Sequence, residues 1–258
     1  MELNTEAPAT PVFLPRQRKF VVGVDPGKSA DPTAIAVVEH IKGVLDYRSE
    51  FDRHTGVERI PQKPAERFLV RHLQRLKLGT SYVDVAAHVR DLMSRPPLCG
   101  DDRVKPAALV VDQTGVGAAV VDLFEAIGLR PIKIVITAGL KVEAKGFLRN
   151  GQASLFHVPK TILISDVDAA LHTGELKIAP ALQDAGALQE ELKDFQRSLS
   201  AVGRSTYSAR EGKSDDLVLA LSYAVWFAKR PPPPVMQFST YSASAPPTSF
   251  SNTQVSGR

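Results

Sequence analysis

Twice in this chain an unbroken apolar run ends on an aspartate, and that pattern constrains the fold more than any other. Residues 20–24 run into Asp25, and residues 107–111 run into Asp112. A strand with one wet face alternates apolar and polar side chains, whereas a run without alternation has to be covered on both faces. Such strands sit in a sheet with helices packed on either side. Ligands of open α/β sheets usually bind at the carboxyl ends of the strands, where these two acids would stand.

The surrounding pattern fills in a mixed α/β architecture. Residues 33–38 predict a second strand. Leu45, Tyr47 and Phe51 alternate with Asp46, Arg48 and Asp52, which predicts a third strand and an antiparallel meander. Residues 65–78 and 82–94 have helical spacing, with Phe68, Leu69, Leu73 and Leu76 as the apolar face of the first. After Asp112 come a helix at 115–127 stopped by Gly128, a strand at 131–136, and a helix at 159–173 followed by Gly174. Residues 188–195 begin as a helix, a hairpin is expected within 195–207, and a last helix runs from 214 to 229 before Pro231. The chain thus divides into a flexible arm at 1–17, one domain at 18–230, and a disordered Pro/Ser-rich tail at 231–258.

The 258 residues, 43% hydrophobic and 23% charged, suffice for one α/β domain with a sizeable core. Lys and Arg number 32 against 28 Asp and Glu, a net charge of +4 that permits a nucleic-acid partner without requiring one. The single Cys99 excludes an intrachain disulfide and a cysteine-based zinc site, and makes a reducing, cytoplasmic setting the default. No apolar run approaches the ~20 residues that span a bilayer, so no membrane role is expected. The first 15 residues lack the apolar core of a secretory signal.

Asp25, Asp112 and the pair Asp215-Asp216 each stand where an element begins or ends. Mg²⁺ prefers carboxylate oxygens completed by water and phosphate, so a few convergent acids can form its whole protein shell. Each acid also has a plainer role. Asp25-Pro26-Gly27 makes a good turn, Asp112 can serve as a turn or helix-cap residue, and two acids after Ser214 as N-cap suit a helix N-terminus. Taken together they favour a site. The six histidines are scattered without metal spacing, and Trp226, Tyr223 and Phe227 read as packing of the last helix. Gly27-Lys28-Ser29 does not complete a phosphate loop, because only three residues separate Gly23 from Gly27 where that motif needs four.

The stretch from Gly23 to Gly27 followed by residues 31–37 resembles the opening motif of the large-terminase nuclease domains of tailed bacteriophages. Residues 110–117 resemble their second motif, and residues 213–226 their last, where Ser214 stands at a position that is often His. Residues 176–180 with 190–195 resemble the segment between. The likeness covers about 20–229. It implies an RNase H-like fold, a central mixed sheet with an antiparallel meander then parallel strands, flanked by helices. It further implies two-metal cleavage of double-stranded DNA with Mg²⁺ or Mn²⁺ in viral genome packaging, inside an infected or prophage-bearing bacterium. A packaging ATPase and portal or small-terminase components would be the partners. By position Asp25 and Asp112 would bind metal, and Asp215 or Asp216 would supply the third ligand. The stripe Leu217, Ala220, Leu221 and Ala224 favours Asp216, with Asp31 a lesser candidate. The chain departs from large terminases in lacking room for the preceding ATPase domain. An excised domain, a split nuclease and a standalone enzyme such as a junction resolvase all stay open, as does a non-catalytic docking module in a packaging motor.

Three basic rows are candidates for DNA phosphates. Arg67, Arg71 and Arg75 share one face of the expected helix. Lys141, Lys145 and Arg149 have the same spacing. Arg204, Arg210 and Lys213 adjoin the last acidic pair. For the first row, a solvated face is an equal expectation.

Overall fold

The computed structural model describes residues 11–27, 31–46, 62–147, 153–194, 196–199, 205–208 and 214–231. Both acid-terminated runs are strands. β1 (Val12–Asp25) pairs antiparallel with β2 (Ala34–Asp46), and β4 (Ala108–Asp112) lies parallel on the other flank of β1. β3 (Lys63–Arg75) completes the meander against β2. Three strands then add in parallel: β5 (Ile132–Thr137) on β4, β7 (Ala153–Pro159) on β5, and β8 (Leu176–Ile178) on β3. The edge strand β6 (Glu143–Phe147) runs antiparallel to β7, giving the order β6-β7-β5-β4-β1-β2-β3-β8. A separate hairpin joins β9 (Gln196–Leu199) to β10 (Ser205–Ser208). The mixed sheet, an antiparallel meander continued by parallel strands with helices on both faces, is the architecture that the resemblance implied.

Two apolar cores lie on opposite faces of this sheet, which is why the central runs show no alternation. Phe20, Val22, Val24 and Leu109 point to the face covered by α1 (Tyr82–Met93) and α2 (Gly117–Ala126). Val21, Val110 and Ile134 point to the face covered by α3 (Lys160–His172), α4 (Ala185–Asp194) and α5 (Asp216–Ala228). Every residue of α5 from Asp216 to Trp226 is buried. Its sequence is apolar all round, the signature of a helix inside the protein rather than on its surface. Helix α1 begins at Ser81, whose hydroxyl accepts the Asp84 N–H at 3.1 Å, an N-cap that satisfies an otherwise orphaned donor. Among the described residues no helix is long and apolar enough to cross a membrane.

Several sequence expectations need correction. Residues 65–78 form β3 and not a helix. Arginines four apart share a face in either structure, so spacing alone could not decide; pairing along β2 did. The second strand runs on to Asp46, absorbing Leu45 of the expected third strand, whose remainder lies outside the described residues. Strand β1 starts at Val12, within the segment expected to be an arm. Helical spacing at Lys141 and Lys145 gives way to the edge strand β6, with Arg149 outside the described residues. The N-cap position of α5 is Asp215, not Ser214. Strand β7 was not anticipated.

Candidate metal-binding active site

Alternation along β1 sends Val21, Gly23 and Asp25 to the α5 face of the sheet. Gly23 makes the next step possible, because a Cβ there would fall 2.0 Å from the Ala220 carbonyl oxygen. Its absence lets α5 lie directly on β1. Tyr223, two helical turns after Asp216 and on the same stripe, is thereby placed under the strand ends. Its hydroxyl is 3.1 Å from Asp25 Oδ1, to which it donates, and 3.5 Å from Asp112 Oδ2. Asp25 and Asp112, on adjacent parallel strands, therefore meet on one phenol oxygen.

The other site residues are held by short polar contacts. Asp112 Oδ1 accepts the Thr114 N–H at 2.8 Å, so Asp112 also serves the turn foreseen for it. Asp216 is 7% exposed, and its Oδ2 accepts from the Ser214 hydroxyl at 2.6 Å. The same oxygen lies 3.7 Å from Arg75 Nε, a charge contact too long for a hydrogen bond. Asp215 turns aside to Lys160 Nζ at 2.7 Å. Behind this layer Glu191 bonds Arg75 Nη2 through one oxygen and accepts the Val218 N–H through the other, at 2.9 Å. That second bond satisfies a donor in the first turn of α5, so Glu191 ties α4, β3 and the head of α5 together.

The electrostatics are those of a site short of positive charge. Burial pushes Asp25 well above the ordinary carboxylate range, and the charges of Asp112 and Asp216 push it further, against the Tyr223 hydrogen bond. Burial also raises Asp112, opposed by bonds from Thr114 and Tyr223. Asp216 is raised by burial, opposed by the Ser214 bond and Arg75, with Asp31 and Asp215 adding to the rise. Glu191 is pushed up to about 7, again by burial first. The Tyr223 hydroxyl is driven well up by burial and by the Asp25 and Asp112 charges, so it stays a donor.

Oxygen-only donors in a buried, mutually repelling set suit a hard divalent cation better than zinc or copper. Among the described residues no three His, Cys, Asp or Glu side chains already form an ion site. Asp25, Asp112 and Asp216 thus offer part of a shell that water and substrate oxygens would complete, the usual arrangement for Mg²⁺. On these grounds the residues fit such an ion.

The basic rows fare differently. A bulge at Arg71 interrupts the β2–β3 register and splits the first row. Arg67 lies over the Phe13 ring, 4.1 Å from its centroid, and Arg71 is bonded to Glu39, both away from the acids. Arg75 crosses to the acid face. Lys145 contacts Glu143 at 3.2 Å on the edge strand, and Lys141 is exposed. Arg204, Arg210 and Lys213 lie outside the described residues. Asp31 is exposed near Asp216 and reaches it only through its charge. Sequence reasoning missed Glu191 and Tyr223 as site residues. Helical spacing could have found both, since Tyr223 follows Asp216 by seven residues and Glu191 shares a buried stripe with Ala185 and Leu188.

No protein-family model matches the chain, and no characterised protein matches it by sequence. Among solved structures it is similar to the large terminase nuclease from thermophilic phage G20c with bound magnesium. That pair shares 19% identity at a TM-score of 0.49, covering 86% of this chain and 89% of the other. The same nuclease with bound cobalt gives 18% identity and 0.49, with the same coverage. The human cytomegalovirus terminase nuclease domain gives 16% and 0.45, covering 87% of each chain. At these scores the likenesses decide nothing about chemistry.

Proposed function

We propose that this chain is a metal-dependent endonuclease that hydrolyses double-stranded DNA, serving terminase-type viral genome packaging. The observation that carries the reading is the meeting of Asp25 and Asp112 on the Tyr223 hydroxyl, with Asp216 on the same stripe of the same helix. In this reading Asp25, Asp112 and Asp216 hold Mg²⁺ or Mn²⁺. When bound, such ions polarise a phosphate oxygen and make water a nucleophile near neutral pH.

The chain's own residues prepare that chemistry. Tyr223 fixes the Asp25 carboxylate by donating to one of its oxygens, leaving the other for a ligand. Ser214 and Arg75 orient Asp216 from two sides. Asp215 holds Lys160 at the rim, where a cation can meet the substrate's phosphate. The buried helix beneath keeps solvent from the rear of the site. In this reading water is the attacking group.

Plasmid cleavage tests the reading. The wild type should nick or linearise DNA with Mn²⁺ or Mg²⁺ and not with EDTA, and Asp25→Asn should remove the activity. A folded wild type that binds DNA but cuts with neither metal would sink it. That outcome would favour a docking module with structural acids, a reading that the Tyr223 bonds support because they partner two acids without any ion.

A further inference from the structure

Strand β1 outruns its neighbour. β4 pairs only with Val21 to Val24, so among the described residues the stretch of β1 before Val21 has β2 on one side and no strand on the other. A cavity of about 360 Å³ opens at this notch, between the free edge of β1 and the loop leading into β4. Six cations line it: Arg16, Arg18 and Lys19 from β1, Lys42 from β2, and Arg103 and Lys105 from the loop. The rest of the lining is Gln17 and His40, with no carboxylate and no aliphatic side chain.

These charges are only partly answered. Arg18 is bonded to Glu39, and Lys19 donates to the Arg230 carbonyl at 3.2 Å. Lys42, Arg103 and Lys105 make no ion pair among the described residues, and Asp101 in the same loop accepts the Arg103 and Val104 N–H groups on one of its oxygens. Burial and the neighbouring Lys42 lower the Lys19 ammonium to about 8, against the upward pull of Glu66, whose carboxylate is held by His40 at 2.7 Å.

We propose that this notch binds phosphates of a nucleic-acid backbone, forming a second DNA contact away from the acids. The composition selects the partner. Protein interfaces centre on apolar or aromatic anchors and are depleted in lysine, and none of those anchors lines this cavity. Backbone phosphates need only charge and donors. Along β1 the notch stands about 20–30 Å from Asp25, at ~3.3 Å per residue. Duplex held at both points would lie across several base pairs, which suits cutting indifferent to sequence. The inference extends the nuclease reading but does not require that the acids cut.

The test is fluorescence anisotropy with a labelled 30-base-pair duplex in EDTA, read across 50–200 mM salt. The variants are Lys42→Ala/Arg103→Ala/Lys105→Ala and, confined to the exposed loop, Arg103→Glu/Lys105→Glu. Both should melt like the wild type and bind at least about tenfold more weakly, with the triple variant's salt slope smaller by roughly 2–3. Poly-glutamate should compete poorly. Unchanged affinity and slope would overturn the proposal and leave the cations as guards of an exposed strand edge. Poly-glutamate displacing the duplex at equal charge would overturn it in favour of an acidic protein partner. Plasmid cleavage run beside the binding assay separates the two ideas. Lost affinity without any cutting by the wild type defeats only the nuclease, and metal-dependent cutting with unchanged affinity defeats only the notch.

Discussion

At its carboxyl end β1 delivers Asp25, half-buried, beside Asp112 under the cover of α5, while at its amino end the same strand carries Arg16, Arg18 and Lys19 on an open edge. The two ends solve opposite charge problems. Where β2 and β4 flank the strand and α5 covers it, a carboxylate has lost its water and meets other carboxylates, so its pKa rises. Where only β2 flanks it, Arg16 and Arg18 stay exposed and keep their hydration, and Lys19 alone is shifted down by burial. Burial, more than charge itself, separates a site that demands a counter-ion from a surface that merely attracts one.

The sharpest way to break this contrast is at the acids. Asp25→Asn and Asp112→Asn should each lower metal-dependent cleavage by at least about a thousandfold, while duplex binding in EDTA stays intact or tightens, since each removes a negative charge. A loss of binding equal to the loss of cutting would count against the division between the two ends.

Next in size is a pH effect on stability. Glu191 keeps its proton to about 7 in the folded state, against an ordinary value of 4.5. Its stabilisation is fully present below 4.5 and is lost as pH rises through 7, a change on the order of 3 kcal/mol. The raised values of Asp25, Asp112 and Asp216 work in the same direction. Melting in EDTA should therefore weaken from pH 5 to 8, and Glu191→Gln should flatten that decline. Mg²⁺ at pH 8 should recover stability in the wild type and not in Asp25→Asn, because an ion that binds only the folded state stabilises it.

Tyr223→Phe keeps the ring's packing and removes the donor that Asp25 and Asp112 share. Single-turnover cleavage should fall about tenfold, as expected for a lost charge-assisted hydrogen bond. An unchanged rate would make Tyr223 a packing residue. The smallest effect belongs to Lys141→Ala and Lys145→Ala, exposed and remote from both ends, where duplex affinity should move by less than about twofold.

Much of this was legible in the linear chain. An apolar run closed by an acid specifies a doubly covered strand and the position of its last side chain, so Asp25 and Asp112 could be found without a structure. The apolar girth of residues 217–226 likewise specified a buried helix, and an acid at its head could only face the sheet or the rim. Spacing fails where two periods coincide. Arg67, Arg71 and Arg75 satisfy helix and strand alike, and a one-residue bulge then divides them between opposite faces. The apolar stripe already favoured Asp216 over Asp215, but the contacts of Asp215 with Lys160 from α3 and of Asp216 with Arg75 from β3 lay beyond the sequence. So did the bridging role of Tyr223 and the basic notch, which exists only because β4 stops short of β1. Local pattern determines which face a residue takes within its own element. What that face meets is decided by contacts between segments far apart in the chain, and only the tertiary structure supplies them.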